Sequence, residues 1–398
     1  MLQITDRAKE NALDPIWRMP FRPLFLAAAI WSCVALILWL MTLMGNGTAV
    51  FRIDVAWHAH EMLFGFAGAV IVGFVCTACQ TWTGLRAPTG RALVLLSSCW
   101  LLARLGYLFW AVPLWFPVAA EVAFFAGAAF MLGRRVIAVR QWHNLFLIPA
   151  LLTFAGLSAW HALSSGATRP VALLTLLLVA SMVLVFGGRV IPFFTARRFG
   201  LTPRAKLPWL EWSGHGLCIA LLLSMALSLP REWTGVVALL LGLVQLVRCA
   251  RWPIGKIFSE PMLWSLHISF WLIVAGVLLL GAVWLGLGDP AAGTPLFSPF
   301  FLESGAVHLI GVGGIGGIIL SMISRVTLGH TGRSPLNPPR GIALAFAALL
   351  AASLVRVLLA PAPIAYWLSV TLWLCGYGLF LWRFAPMLLA PRTDGQPG

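Results

Sequence analysis

The chain has 398 residues, of which 61% are hydrophobic and only 10% charged. So little charged surface cannot cover a water-soluble fold, and a mean hydropathy of +0.93 makes lipid the solvent for most of the chain. The formal charge of +15 would suggest nucleic acid in a soluble protein, but here it is explained by loops that retain Lys and Arg, so no nucleic-acid partner is expected.

Residues 1–20 are mixed polar and charged and lack the apolar stretch and cleavage site of a signal peptide. They read as a cytoplasmic N-terminal segment, with the first helix acting as an uncleaved signal anchor. Apolar blocks long enough to cross a bilayer, about 20 residues each, follow at 22–44, 58–82, 91–112, 113–133, 144–164 and 170–194. The series continues at 209–229, 233–251, 263–287, 303–325, 340–360 and 364–387. Short connectors rich in Gly, Pro and charge, such as 84–90 and 335–340, separate them. The fold class is all-α: a polytopic membrane protein of about 12 transmembrane helices. Residues 21–388 read as a single transmembrane domain and 389–398 as a cytoplasmic tail.

The cations test that count. With twelve spans, 21 of the 27 Lys and Arg fall on one side, and only Arg52, Arg169 and Arg231 on the other. Arg104, Arg189 and Arg356 fall inside helices. A wrong count would scramble this alternation, so both termini are expected on the cytoplasmic side. The seven cysteines are scattered. Cys76-Thr77-Ala78-Cys79 is followed by Gln80, where c-type haem attachment needs His, so these read as small polarizable helix residues.

Ligating side chains in a membrane are costly, and the eight histidines sort by depth. His58 and His60 open the second helix at the outer face. His161 ends the fifth helix there, and His308 lies one turn into the tenth. At the inner boundary sit His143, His267, His330 and, less firmly placed, His215. The two levels are roughly 15–25 Å apart at a rise of about 1.5 Å per residue. Imidazole binds haem iron, copper and zinc, so two groups would suit two metal centres. The same residues also read as interfacial histidines touching water and headgroups.

His58 and His60 lie about 200° apart on a regular helix, so one metal takes both only if His58 precedes the helix. Otherwise His60 points inward and His58 serves another role. Glu61 reads either as an acceptor that orients a histidine or as a cap on the helix start. Gly65, Gly68 and Gly73, and Gly311, Gly313, Gly314, Gly316 and Gly317, read as close helix contacts or as bare surface for a flat macrocycle. Arg104 and Glu121 share a depth and read as a buried ion pair. The alternative gives Arg104, Arg189 or Arg325 a propionate to bind.

At these residues the sequence resembles the NnrS family of bacterial haem–copper membrane proteins. The resemblance starts at Phe21-Arg22-Pro23 and runs through Trp57-His58-Ala59-His60-Glu61-Met62-Leu63-Phe64-Gly65-Phe66 to Thr81-Trp82-Thr83-Gly84. It continues through Gly187-Gly188-Arg189-Val190-Ile191-Pro192-Phe193-Phe194-Thr195 and Leu263-Trp264-Ser265-Leu266-His267. It closes on His308, the glycine run and Ser324-Arg325-Val326-Thr327-Leu328-Gly329-His330-Thr331-Gly332-Arg333. Cys76 to Gln80 departs from the Pro-Asn usual before Trp-Thr-Gly.

The resemblance implies b-type haem and copper, and a role in denitrification and protection from nitrosative stress in the bacterial inner membrane. Its motif histidines fall on His58, His60, His267, His308 and His330, with His161 at a matching helix end. Which of them hold iron and which copper stays open. Nitric oxide is small and apolar and enters the bilayer, where a His-ligated haem would meet it. The chain has no flavin or nicotinamide fingerprint and no adjacent-histidine motif of haem–copper oxidases, so turnover would draw electrons from quinol or a redox protein. Two other readings stand beside this one, a secondary transporter of major-facilitator layout and a haem or copper delivery protein without catalysis. Against the former, the sequence has no clear six-plus-six repeat and no long central loop.

Overall fold

The computed structural model describes residues 12–164, 168–202, 204–286 and 299–396. Residues 1–11 of the expected N-terminal segment, and the last two of the tail, lie outside them. Twelve long helices form among the described residues, one for each apolar block. They are α1 (Phe21–Leu43), α2 (Val55–Thr83), α3 (Arg91–Leu108), α4 (Trp115–Ala138), α5 (Leu147–Leu163) and α6 (Thr168–Phe199). The rest are α7 (Pro208–Ala226), α8 (Arg231–Cys249), α9 (Pro261–Trp284), α10 (Leu302–His330), α11 (Ile342–Leu358) and α12 (Pro363–Leu389). Ten of them are long and apolar enough to cross a membrane. Of the other two, α11 has 17 residues and α7 carries Glu211 and His215 in its opening turns.

The ends follow local chemistry. Asp54 caps α2, its carboxylate accepting the backbone N–H of Trp57 at 2.7 Å. The same helix stops at Gly84, whose φ of +69° is the left-handed conformation that a glycine C-cap adopts without strain. Gly332, at φ +79°, stands just past the end of α10. Both helices run to 29 residues, beyond the expected 58–82 and 303–325, and both contain a π-helical stretch. In α2 it is Glu61–Ala67 and in α10 it is Leu309–Gly316. Each begins directly after a histidine, His60 or His308, and Gly84 lies as far from His60 as Gly332 does from His308. Such insertions occur often at functional sites.

The most exposed tryptophans sit at helix ends, as they do where indoles lie at headgroup level. Trp110, Trp115, Trp160, Trp233 and Trp367 fall at one set of ends, and Trp142, Trp209, Trp212 and Trp382 at the other.

The helices form two compact units. The first holds α1 to α5 with the start of α6 and the last parts of α10 and α12. The second holds the rest of α6, α7 to α9, most of α10, α11 and the start of α12. Inside the first, α1 packs on α2, α3 on α4 and α4 on α5; inside the second, α8 packs on α9 and α9 on α10. Without a hydrophobic drive between helices in lipid, close packing and internal polar contacts hold such units together. Within the first unit, Arg22 of α1, fully buried, donates Nη1 to the carbonyls of Leu388 and Ala390, both at 2.8 Å, closing the end of α12.

Candidate functional site

The densest polar cluster lies in the first unit, around the start of the π-helical stretch in α2. Arg104 of α3, fully buried, reaches Glu61 Oε2 through Nη1 at 2.6 Å and Glu121 Oε1 of α4 through Nη2. Trp31 of α1 donates its indole N–H to Glu61 at 2.6 Å. His60, 2% exposed, sits between the carboxylates, with Nδ1 3.2 Å from Glu61 and Nε2 3.0 Å from Glu121. The second contact is poorly aligned for a hydrogen bond. Both imidazole nitrogens of His60 thus face carboxylates.

The expected pairing of Arg104 with Glu121 is therefore present, and Arg104 serves Glu61 as well. Of the two readings of Glu61, orienting a histidine matches the geometry, because Asp54 performs the capping. The helix begins at Val55, so His58 lies within it and cannot converge with His60 on one metal. Its ring instead stacks on Trp39 of α1, with centroids 5.1 Å apart and planes 12° from parallel. His161 of α5 does converge on His60, at 5.3 Å between ring centroids. It is buried, and its Nε2 has no hydrogen-bond partner among the described residues.

In the second unit, α9 and α10 run antiparallel, as close approaches between Gly276 and Ile310 and between Ser265 and Ser321 show. That register puts His267 and His308 about 15 Å apart along the pair. His267 is fully buried against Trp252 and Trp271. Its Nε2 lies 2.9 Å from Thr195 Oγ1 of α6, and its Nδ1 has no hydrogen-bond partner among the described residues. His308 is half-buried, with Nδ1 2.7 Å from the carbonyl of Ser304. A carbonyl only accepts, so this nitrogen bears the proton and Nε2 carries the lone pair of the neutral ring.

The remaining candidates sit apart from these. His330 ends α10, its ring 5.5 Å from Phe21 and its carbonyl accepting Arg392 at 3.1 Å. Arg392 also pairs with Asp394, and that hydrogen bond holds the Asp394 carboxyl down to about 2. Arg189 is exposed on α6 and Arg325 is half-buried on α10. His143 lies in the turn between α4 and α5, and His215 Nδ1 bonds the carbonyl of Glu211 in its own helix.

The glycine runs divide between their two readings. A Cβ on Gly65 would meet Arg104 Nη1 at 2.6 Å, and one on Gly68 would meet Phe125 at 2.7 Å. Gly73, Gly313, Gly314, Gly316 and Gly317 are likewise filled by neighbouring side chains. Gly311 differs: the nearest atom to its Cβ position is Leu176 Cδ1 at 3.8 Å, and it lies one turn from His308. Close packing accounts for the others, and bare surface beside a histidine is left at Gly311.

Sequence reasoning did not reach Thr195, Trp31 or Arg248. The Gly187-Gly188 pair was the available signal for Arg248. A side chain on Gly188 would overlap its guanidinium, which donates to Glu211 at 3.0 and 2.5 Å and to the carbonyl of Leu184 at 2.7 Å. Among the described residues no three His, Cys, Asp or Glu side chains gather around a common point as a metal cage. No curated protein matches the chain. The family model described as NnrS protein matches residues 15–392, nearly its whole length, and the chain belongs to that family.

Proposed function

We propose that this NnrS-family membrane protein binds haem and copper in the bacterial inner membrane and that nitric oxide binds or is turned over at the haem, which protects the cell from nitrosative stress. The observation that carries this reading is a pair of buried imidazole nitrogens, His161 Nε2 and His267 Nδ1, without hydrogen-bond partners among the described residues. An unmet buried polar atom costs about 1–3 kcal/mol, a cost that a metal bound there would remove. His308, with its Nε2 lone pair and the bare helix surface of Gly311 beside it, fits a macrocycle. Haem brings four equatorial nitrogens of its own and needs only one or two imidazoles from the protein, so it suits histidines that stand singly.

Haem iron would supply the centre at which nitric oxide binds and exchanges electrons. The chain's part is to hold the imidazoles. Ser304 fixes the ring of His308 through Nδ1, and the Arg104 cluster immobilises His60 beside His161. Arg189, exposed on a membrane helix, is the guanidinium available to a propionate. Quinol or a redox protein would be the electron donor, with both termini in the cytoplasm.

An absorbance spectrum of the detergent-purified protein tests the proposal. A Soret band that shifts on reduction and on adding nitric oxide is the expected result, and His308→Ala should remove or shift at least one haem component. A colourless, metal-free preparation that still moves a solute across vesicles would instead establish the transporter reading. Haem binding with no loss of nitric oxide above that of free haem, when an artificial donor is supplied, would reduce the protein to a sensor or carrier. Gly311→Leu adds bulk where there is room, so it should leave thermal stability within about 0.5 kcal/mol while lowering the haem content of the purified protein. Unchanged haem content would remove Gly311 from the site.

A further inference from the structure

Two loops of the second unit are tied together at one end of its helices. One joins α6 to α7 and the other joins α8 to α9. Arg251 of the second loop donates Nη2 to the carbonyl of Ala205 in the first at 2.8 Å. Glu211 and Glu260 are the acidic residues in these loops and the turns flanking them. Both are already committed, Glu211 to Arg248 and Glu260 to Arg198, whose Nε lies 2.9 Å from Glu260 Oε1. Arg197, Arg204, Lys206 and Lys256 are exposed, and among the described residues none of the four makes an ion pair. This end therefore carries a surplus of cations with no carboxylate left to offset it.

Large apolar side chains stand in the same loops and helix starts. Trp212 and Phe258 are 75% and 67% exposed, and Trp209 and Ile254 are exposed as well. The loop bearing Phe258 is anchored. Its Trp252 and Ile257 are buried, with the Trp252 ring 4.8 Å from that of Phe270. The turns that hold these two residues in also hold Ile254 and Phe258 out. Cations are retained at many loops of membrane proteins. This end adds to them exposed aromatic rings, at the helix ends where headgroups lie. Such rings gain from the boundary between headgroups and acyl chains, and gain nothing from water.

We propose that this pair of loops is a binding site for an anionic phospholipid. Arg204, Lys206 and Lys256 take the phosphate, and the glycerol and upper acyl chains lie against Trp212 and Phe258. An acidic protein surface would answer the charge alone, whereas lipid answers both the charge and the rings. The proposal is independent of haem and copper.

Native mass spectrometry of the full-length protein, delipidated in neutral detergent and titrated with phosphatidylglycerol or phosphatidylcholine, tests it. The first lipid bound is expected to be phosphatidylglycerol. Each cation near a lipid surface is worth about fivefold in affinity. Arg204→Gln, Lys206→Gln and Lys256→Gln together should therefore weaken that binding at least tenfold. All three side chains are exposed, so the unfolding temperature should not change. Arg91→Gln, Arg134→Gln and Arg140→Gln remove the same charge from exposed positions of the first unit and should leave the lipid in place. Equal losses in the two triple variants would reduce the effect to net charge and overturn the proposal, as would equal affinity for phosphatidylcholine. Soluble glycerophosphate, which has no acyl chains, should compete weakly. Displacement of the lipid by an equimolar amount would make the ligand a free phosphate and overturn the proposal. Lipid binding unchanged in the first triple variant, with retention on immobilised polyglutamate lost, would give the surface to an acidic protein and overturn it too.

Discussion

Replacing Arg104 by alanine is expected to destabilise the protein by about 3–5 kcal/mol, the usual consequence of removing one partner from a buried charge network. Arg104 is, among the described residues, the arginine that bridges Glu61 and Glu121, and both carboxylates are buried at depth in α2 and α4. Without it two anions would face each other across His60 in a low dielectric, with only neutral hydrogen-bond donors such as Trp31 and Ser158, and the imidazole, to offset them. Lysine should recover little, because a point charge cannot serve two carboxylates in the plane of a fork. Removing the charges as a set, with Arg104→Met, Glu61→Gln and Glu121→Gln together, should return most of the lost stability, since an apolar or neutral replacement of a buried pair is often close to neutral. Thermal unfolding in detergent, followed by retention on size exclusion, is the measurement. If Arg104→Ala unfolded at the temperature of the unaltered protein, the cluster would not be a structural lock.

Gly281→Leu carries the second large effect. Glycines 281 and 235 face each other where α9 crosses α8. A Cβ on Gly281 would stand 2.9 Å from both the carbonyl of Gly235 and the backbone nitrogen of Leu239, and one on Gly235 would stand 3.0 Å from the carbonyl of Gly281. These obstacles are backbone and not the ends of flexible side chains, so the helices must separate along their length. Alanine should cost about 1–3 kcal/mol and leucine about 3 kcal/mol or more. The contrast with Gly311→Leu, where there is space, isolates packing from chemistry. Comparable unfolding temperatures for the two variants would contradict the close crossing.

The twelve helices were legible because two independent patterns, hydropathy and the side on which cations fall, are fixed by the bilayer and not by tertiary detail. The pairing of Arg104 with Glu121 was legible for the same reason, since depth alone places them level. The site was legible in part. That His58 and His60 could not share a metal followed from helical geometry once the helix start was known. Capping by Asp54 moved that start ahead of His58. The bond from His267 to Thr195 joins helices far apart in sequence, and no periodicity in either one announces it. The partnership of Arg248 with Gly188 was signalled only by a glycine pair, which fits several causes. The π-helical stretches had no signature in hydropathy, because an inserted residue leaves an apolar block apolar.

Those stretches make helix length a matter of rotation. Hydrogen bonding in Glu61–Ala67 accommodates a residue more than a regular helix would. A single deletion there would let α2 close into ordinary form, and because the wider turn is what takes up the extra residue, the segments on either side would keep nearly their places. The cost would fall on the contacts of the stretch itself, where Glu61 meets Arg104. The same loss within the regular Gly68–Thr83 would turn one end of the helix against the other by about 100° and draw it in by about 1.5 Å. The stretch beside His60 is thus the place where α2 can shed or gain a residue at least expense to the rest of its length.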